Sequence, residues 1–262
     1  MDYASLADEI ASWLQAHMRE AGATRLVLGL SGGIDSAVVC ALCTMAAGPS
    51  QVIAAIMPIN SNQHDQRDAE DVARHYEVTP HVIDLAPAYD ALLAALPDED
   101  AMGLSDPDGN DERRRALALS NLKPRLRMTT LYALANRHNG VVVGTGNKTE
   151  LSIGYFTKYG DGGVDLLPIG DLDKTTVRAL ARELDVPPQI IARAPSAGLW
   201  DGQTDESEIG LTYEQLDRSL AALASGEAAS LAPGVRDRVA HLVQVSEHKR
   251  RPVPVFHLEE VS

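Results

Sequence analysis

The 262-residue chain is 45% apolar and 23% charged, with a net charge of −14. No apolar run reaches the ~18 residues of a membrane span, so a soluble α/β protein of one or two domains is expected. So acidic a chain excludes broad nucleic-acid binding, which needs a basic surface.

The start, Met1 to Glu9, is acidic and amphipathic rather than a signal peptide, and implies the cytoplasm. An N-terminal helix is predicted over Tyr3–Glu20, with Gly22 ending it. The apolar run Arg25–Gly29 is a buried strand. It leads into Gly29-Leu30-Ser31-Gly32-Gly33-Ile34-Asp35-Ser36, and Ala37–Cys43 is an apolar helix. A small-residue loop at a helix N-terminus binds phosphate or pyrophosphate through bare N–H groups, here joined by the Ser31 and Ser36 hydroxyls. Gly32 and Gly33 allow close approach and positive φ. Asp35 beside phosphates makes sense if Mg²⁺ lies between them; the alternative is that it caps its helix. Cys40 and Cys43 have a C-x-x-C spacing, but no second pair of zinc ligands is evident, so they read as buried thiols.

Further strands are predicted at Val52–Met57, His81–Leu85 and Val141–Thr145, with a weaker fifth near Leu166–Ile169. Helical faces appear at Ala69, Val72, Ala73 and Tyr76; at Met128, Leu131, Tyr132 and Ala135, with Pro124 near the helix start; and at Val177, Leu180, Ala181 and Leu184, closed by Pro187-Pro188. Two more helices fit Thr212–Ala224 and Pro233–Ser246. The alternation predicts one doubly wound parallel sheet of about five strands, with no internal repeat or linker and residues 1–262 as a single domain. Pro97–Glu112 and Ser196–Ile209 read as long functional loops. The run Arg113–Arg115 reads as a solvated face. Two other basic clusters, Lys123-Pro-Arg125-Leu-Arg127 and His248-Lys-Arg-Arg251, supply local positive charge for anions.

Thr145 to Glu150 follow a strand end, where ligands of parallel sheets bind. Glu150 is therefore a second carboxylate near the phosphates and, with Asp35, a candidate Mg²⁺ ligand; the plainer role is a cap on the following helix. Gly144-Thr-Gly-Asn-Lys-Thr149 lacks the glycine a Walker loop needs before its lysine. Gly154-Tyr-Phe-Thr-Lys-Tyr-Gly-Asp-Gly-Gly-Val-Asp165 concentrates aromatics, carboxylates and Lys158 in twelve residues. It suits a ring and ribose hydroxyls, or else forms a hairpin turn.

The Ser-Gly-Gly-Ile-Asp-Ser loop resembles the pyrophosphate loop of the ATP pyrophosphatases, which split ATP between its α- and β-phosphates. The resemblance then narrows to NAD synthetase, through Asn121–Met128, Gly144–Glu150, Gly154–Gly163, Leu167–Leu172, Lys174, Pro195–Trp200, Gln203–Glu206 and His248–Arg250. It implies an adenine nucleotide alpha-hydrolase-like fold and ATP-dependent amidation of deamido-NAD⁺ through an adenylated carboxylate. It further implies that Gly29 to Ser36, Thr145, Lys174 and Ser196 bind ATP, with Asp35 and Lys174 catalytic. Asp35 and Glu150 would hold Mg²⁺. Arg125, Lys158, Asp165, His248 and Lys249 would bind deamido-NAD⁺, with Tyr132 and Asp161 close by. The family is a homodimer with its dinucleotide site at the interface, which favours a partner over the chain's own sheet as the surface met by the Met128–Ala135 face. The acidic insertion Asp106–Asn110 matches no motif. No glutaminase domain or nucleophilic cysteine is apparent, so free ammonia is the expected nitrogen donor. The rival readings are a tRNA-modifying ligase, which would need basic surface or zinc cysteines, and a non-catalytic nucleotide sensor.

Overall fold

The computed structural model describes residues 1–97, 111–195 and 204–257, with side chains from residue 114 onward in the helix Asp111–His138. Strands β1 (Arg25–Gly29), β2 (Val52–Ile56), β3 (Pro80–Val82) and β4 (Gly140–Val142) form one parallel sheet in the order β3-β2-β1-β4. Leu28 pairs with Ala54 on one side of β1, and Val27 with Val142 on the other. Chain order reverses at β1, so a crevice opens beyond its carboxyl end.

Strand residues alternate between two cores, as the pleat requires. Leu26, Leu28, Val52, Ala54 and Ile56 face the helices Tyr3–Glu20, Ile34–Ala47, Gln63–His75 and Lys174–Glu183. Val27, Ile53, Ala55 and Val142 face Tyr89 of the helix Ala86–Ala95 and Leu131 and Ala135 of the helix Asp111–His138. Ile153, Ile209, Tyr213, Leu216 and Val239 make a third cluster, which seats the helices Tyr213–Ala224 and Pro233–Val245 beside the sheet. Cys40 and Cys43 are free and buried in the apolar stretch Ala37–Cys43 of the helix Ile34–Ala47, and burial pushes the Cys40 thiol up to about 12. They are inert core residues, as expected.

The first helix, β1 and the helices near 213 and 233 lie where periodicity places them. Several expectations are corrected. The fifth strand reduces to a single parallel bridge, Val143 to Leu166, because Pro168 cannot donate to a ladder and Gly170 turns back onto Leu167. Pro124 lies inside its helix rather than near the start, since the helix begins at Asp111. Its buried ring meets the backbone at Gly160, where a Cβ would come within 3.1 Å of it. Pro188 opens a short helix, Pro188–Ala192, as well as following the end of the previous one. The face carrying Leu131 and Ala135 packs on the chain's own sheet, not on a partner, because the strands below it are apolar on both sides. Arg114 and Arg115 are exposed, in keeping with a solvated face. The insertion Asp106–Asn110 and most of the loop Pro97–Glu112 lie outside the described residues.

Candidate active site

A cleft of about 550 Å³ opens beyond the carboxyl ends of β1, β2 and β4. Gly29, Leu30, Ser31, Gly33, Ile34, Asp35, Ser36, Thr145 and Glu150 line it, so one crevice gathers both halves of the expected nucleotide site.

The loop is built around its two hydroxyls. Ser36 Oγ donates to the Gly33 carbonyl at 2.9 Å and accepts from the Ser31 N–H at 3.2 Å; Ser31 Oγ lies 3.0 Å away and accepts from the Gly33 N–H at 3.2 Å. Two N–H groups expected to be bare are thus spent on the loop itself. The first-turn N–H groups of Ile34, Asp35 and Ser36 have no intrahelical acceptor by helix geometry, and the N-cap, Gly33, offers no side chain to cap them. That leaves a helix N-terminus fit for an anion. Gly32 alone adopts positive φ, at 82°, whereas Gly33 is extended at −87°.

Asp35 does not cap its helix. One oxygen accepts from Asn147 Nδ2 at 3.0 Å and the other from Lys174 Nζ at 2.5 Å. Lys174 is 1% exposed and also reaches Glu150 Oε1 at 3.3 Å. Burial pulls its ammonium down, but the two carboxylates outweigh that and hold it above the ordinary lysine value. Burial pushes Glu150 up to about 7, against the pull of Lys174. Both readings of Glu150 hold. Its Oε2 accepts from the Asn147 N–H and its own N–H donates to Asn147 Oδ1, a capping box, while Oε1 faces Lys174.

Among the described residues no group of three or more His, Cys, Asp or Glu forms a metal cage. Asp35 and Glu150 converge on the Lys174 ammonium. Their donor type, and their place at the cleft wall, fit Mg²⁺, which takes one or two carboxylates and completes its shell with water and substrate phosphates.

The seven residues expected around the dinucleotide separate. Asp161 and Lys249 line the cleft. Lys249 Nζ donates to the Gly154 and Phe156 carbonyls at 2.7 Å, and burial lowers its pKa. Arg125, Lys158 and His248 form a chain outside the cleft lining: the Arg125 guanidinium donates to the Lys158 carbonyl at 3.4 Å, and Lys158 Nζ to the His248 carbonyl at 2.7 Å. Tyr132 donates to Asp165 Oδ1 at 2.8 Å, while Asp165 Oδ2 accepts from the Val142 N–H at the end of β4. Ser196 lies outside the described residues. Of the expected loop Ser196–Ile209, the end is a short helix, Asp205–Ile209.

Several groups in or behind the cleft receive no individual role from the sequence, although Arg127 and Tyr155 lie in segments it singles out. Asn147 is buried between Asp35 and Glu150, and the Asn-x-x-Glu spacing was its available signal. Arg127 lines the cleft, donates through Nε to the Met57 carbonyl at 3.0 Å, and forms no ion pair among the described residues. Arg193 pairs with Asp65 and Asp68 at the rim. The Tyr155 hydroxyl donates to Glu208 Oε2 at 2.8 Å and lies 3.2 Å from Asp205 Oδ1.

The family model of NAD synthase matches residues 6–253. The NH3-dependent NAD⁺ synthetase of Carboxydothermus hydrogenoformans is 46% identical over 244 residues, 93% of each chain. In fold, the chain matches an NMN synthetase from Francisella tularensis with a TM-score of 0.85 at 34% identity, over 98% of this chain and 100% of that one. An NH3-dependent NAD synthetase from Campylobacter jejuni, in complex with nitrate, matches with a TM-score of 0.80 at 27% identity, over the same shares.

Proposed function

The chain belongs to the NAD synthase family, which amidates deamido-NAD⁺ to NAD⁺ with ATP and ammonia, and we propose how its cleft performs that reaction. The observation that carries the reading is the uncapped N-terminus of Ile34–Ala47 facing the same cleft as the Asp35–Lys174–Glu150 cluster.

The nicotinate carboxylate is a poor electrophile. Its oxygen attacks the α-phosphorus of ATP in line, the bond to the β-phosphate breaks, and pyrophosphate leaves into the Ser31–Ser36 loop. The N–H groups of Ile34, Asp35 and Ser36, with the half-charge of the helix, stabilise that leaving group. Lys174 stays an ammonium and meets charge on the phosphate oxygens; most of the catalysis is positioning and electrostatics. Asp35 and Glu150 would hold Mg²⁺, which supplies further charge neutralisation on the phosphates. Ammonia then attacks the adenylated carbonyl, AMP leaves, and the nitrogen sheds a proton to give the amide. Thr145 and Ser196 contact ATP. Arg127 shares with Lys249 and Arg193 a cleft whose lining includes Asp35, Asp65, Glu150, Asp161, Asp205 and Glu208. Lys249 is held by two carbonyls and Arg193 by Asp65 and Asp68, so it is the Arg127 guanidinium that takes an oxyanion of the substrates.

Incubation with deamido-NAD⁺, ATP, Mg²⁺ and ammonia is expected to yield AMP and pyrophosphate in step with NAD⁺. Chromatography showing ADP as the main product would sink the mechanism. Glutamine freed of ammonia is expected to support little turnover, since both cysteines are buried. The likeness to the Francisella NMN synthetase favours one competing substrate, nicotinate mononucleotide. A higher kcat/KM for it than for deamido-NAD⁺ would select that reading.

The whole chain acts as one synthetase domain, in the cytoplasm and as a homodimer. Arg125, Lys158 and His248 lie in contact with one another outside the cleft lining, which supports a dinucleotide site completed by a second subunit. A ligand bridging two subunits stabilises their assembly. Sedimentation should therefore report a dimer that deamido-NAD⁺ tightens; a fully active monomer at assay concentration would rule out the shared site.

A further inference from the structure

The helix Tyr213–Ala224 touches the cluster from behind at two residues one turn apart. Tyr213 is fully buried. Its hydroxyl donates to Asp205 Oδ2 at 2.8 Å and lies 3.2 Å from Glu150 Oε1, and its ring stands 4.6 Å from Lys174 Nζ. Asp217, four residues on, accepts from the Thr149 hydroxyl through one oxygen. Through the other it accepts from the Thr175 hydroxyl at 2.8 Å and from the Thr175 N–H at 3.0 Å. Thr149 Oγ1 in turn accepts from the Lys174 N–H at 3.1 Å.

Residues at i and i+4 share one helix face. Here that face grips the two short helices that carry Glu150 and Lys174, at those residues or their immediate neighbours. Glu150 and Lys174 are 24 positions apart in sequence, and the segment between them, residues 154–173, contains no helix or strand. One backbone bond, from the Lys148 N–H to the Leu172 carbonyl at 2.9 Å, ties the two helix starts, and the placing of the Glu150 and Lys174 side chains is left to side-chain contacts. We propose that Tyr213 and Asp217 are positioning residues that set the Glu150–Lys174 geometry for attack at the α-phosphorus, without touching substrate themselves. Tyr213 sets the carboxylate oxygen and the face of the ammonium; Asp217 locks the first turns of both helices. The inference rests on the amidation mechanism given above.

The test compares the full-length enzyme with Tyr213→Phe and Asp217→Asn in steady-state assays, alongside thermal unfolding. Tyr213→Phe keeps the ring under Lys174 and removes only the hydroxyl. Each variant is expected to lose roughly 10- to 100-fold in kcat, with KM for ATP and deamido-NAD⁺ within about two-fold, as removal of second-layer support does. The double variant should lose less than the product of the single losses, because both act on one geometry. An unchanged kcat in both variants would overturn the proposal. So would a kcat deficit that vanishes on cooling well below the melting transition, which marks a merely structural role. Failure of the wild-type enzyme to form NAD⁺ would instead refute the mechanism on which it rests.

Discussion

Lys174→Met is expected to abolish measurable turnover and to cost about 3–5 kcal/mol of stability, the range for removing one partner of a buried ion pair. The Lys174 side chain is 1% exposed, and those of its partners Asp35 and Glu150 are 18% and 16% exposed. Without the ammonium, two carboxylates face a methyl group and each other. Water reaches them poorly, so the pair is destabilised and Glu150 is driven to take up a proton. Glu150 already stands at about 7 with the lysine in place. Losing the lysine removes the main influence holding it down, so its pKa rises further. The sign follows from linkage. A carboxyl whose folded pKa exceeds its unfolded value binds more protons when folded, so its contribution is retained at low pH and lost as pH rises through the folded pKa. In the metal-free wild type that loss falls between the ordinary Glu value and about 7; in the variant it extends above 7. Urea unfolding at pH 6 and pH 8 measures both effects. Equal stability of variant and wild type at both values would show that the buried pair contributes nothing.

Gly32→Ala is expected to destroy ATP use while the rest of the fold survives. Gly32 sits at φ 82°, and a Cβ there would lie 2.5 Å from the Asp65 carbonyl oxygen and 2.9 Å from Asp68 Cβ. The left-handed conformation costs an L-residue roughly 1–2 kcal/mol. The collision adds about 1–3 kcal/mol as overpacking. The helix Gln63–His75 that it would strike is held in place, because Arg193 pairs with both Asp65 and Asp68. Displacement of a positioning loop by about 1 Å is enough for a 100-fold loss of rate. Gly33→Ala is the control: its φ is −87° and the nearest atom to a Cβ is Ser31 Oγ at 3.4 Å, so stability should stay close to wild type. ATP–pyrophosphate exchange and thermal unfolding on both variants decide the matter. Wild-type exchange by the Gly32 variant would mean that the loop does not bind the triphosphate as described.

Much of the cleft was legible because its residues are neighbours in sequence. Strand, loop and helix from Arg25 to Cys43 form one continuous unit, so the anion site at Ile34 to Ser36 follows from local rules. The capping pair Asn147 and Glu150 is equally local. Periodicity described the helix face of Leu131 and Ala135 correctly but left its partner open, and the resemblance pointed to a second subunit. The sheet occupies that face instead, because Val27, Ile53 and Ala55 need cover on the side away from the Ile34–Ala47 helix. A proline is tolerated at a helix start, so Pro124 reads as lying near one; nothing local indicates that the helix begins at Asp111.

The sequence by itself determined the parallel α/β class, the phosphate loop, the inert cysteines and, through its motifs, the family. Each of these rests on a short window in which local sterics and hydrogen bonding leave few alternatives. Only the tertiary structure decided that Lys174 stands between Asp35 and Glu150, that Arg127 faces the cleft, and that Tyr213 and Asp217 brace the cluster. Those contacts join residues 24 to 139 positions apart. They form because a buried ammonium needs carboxylates and buried carboxylates need donors, a requirement of the packed interior that no single segment can express.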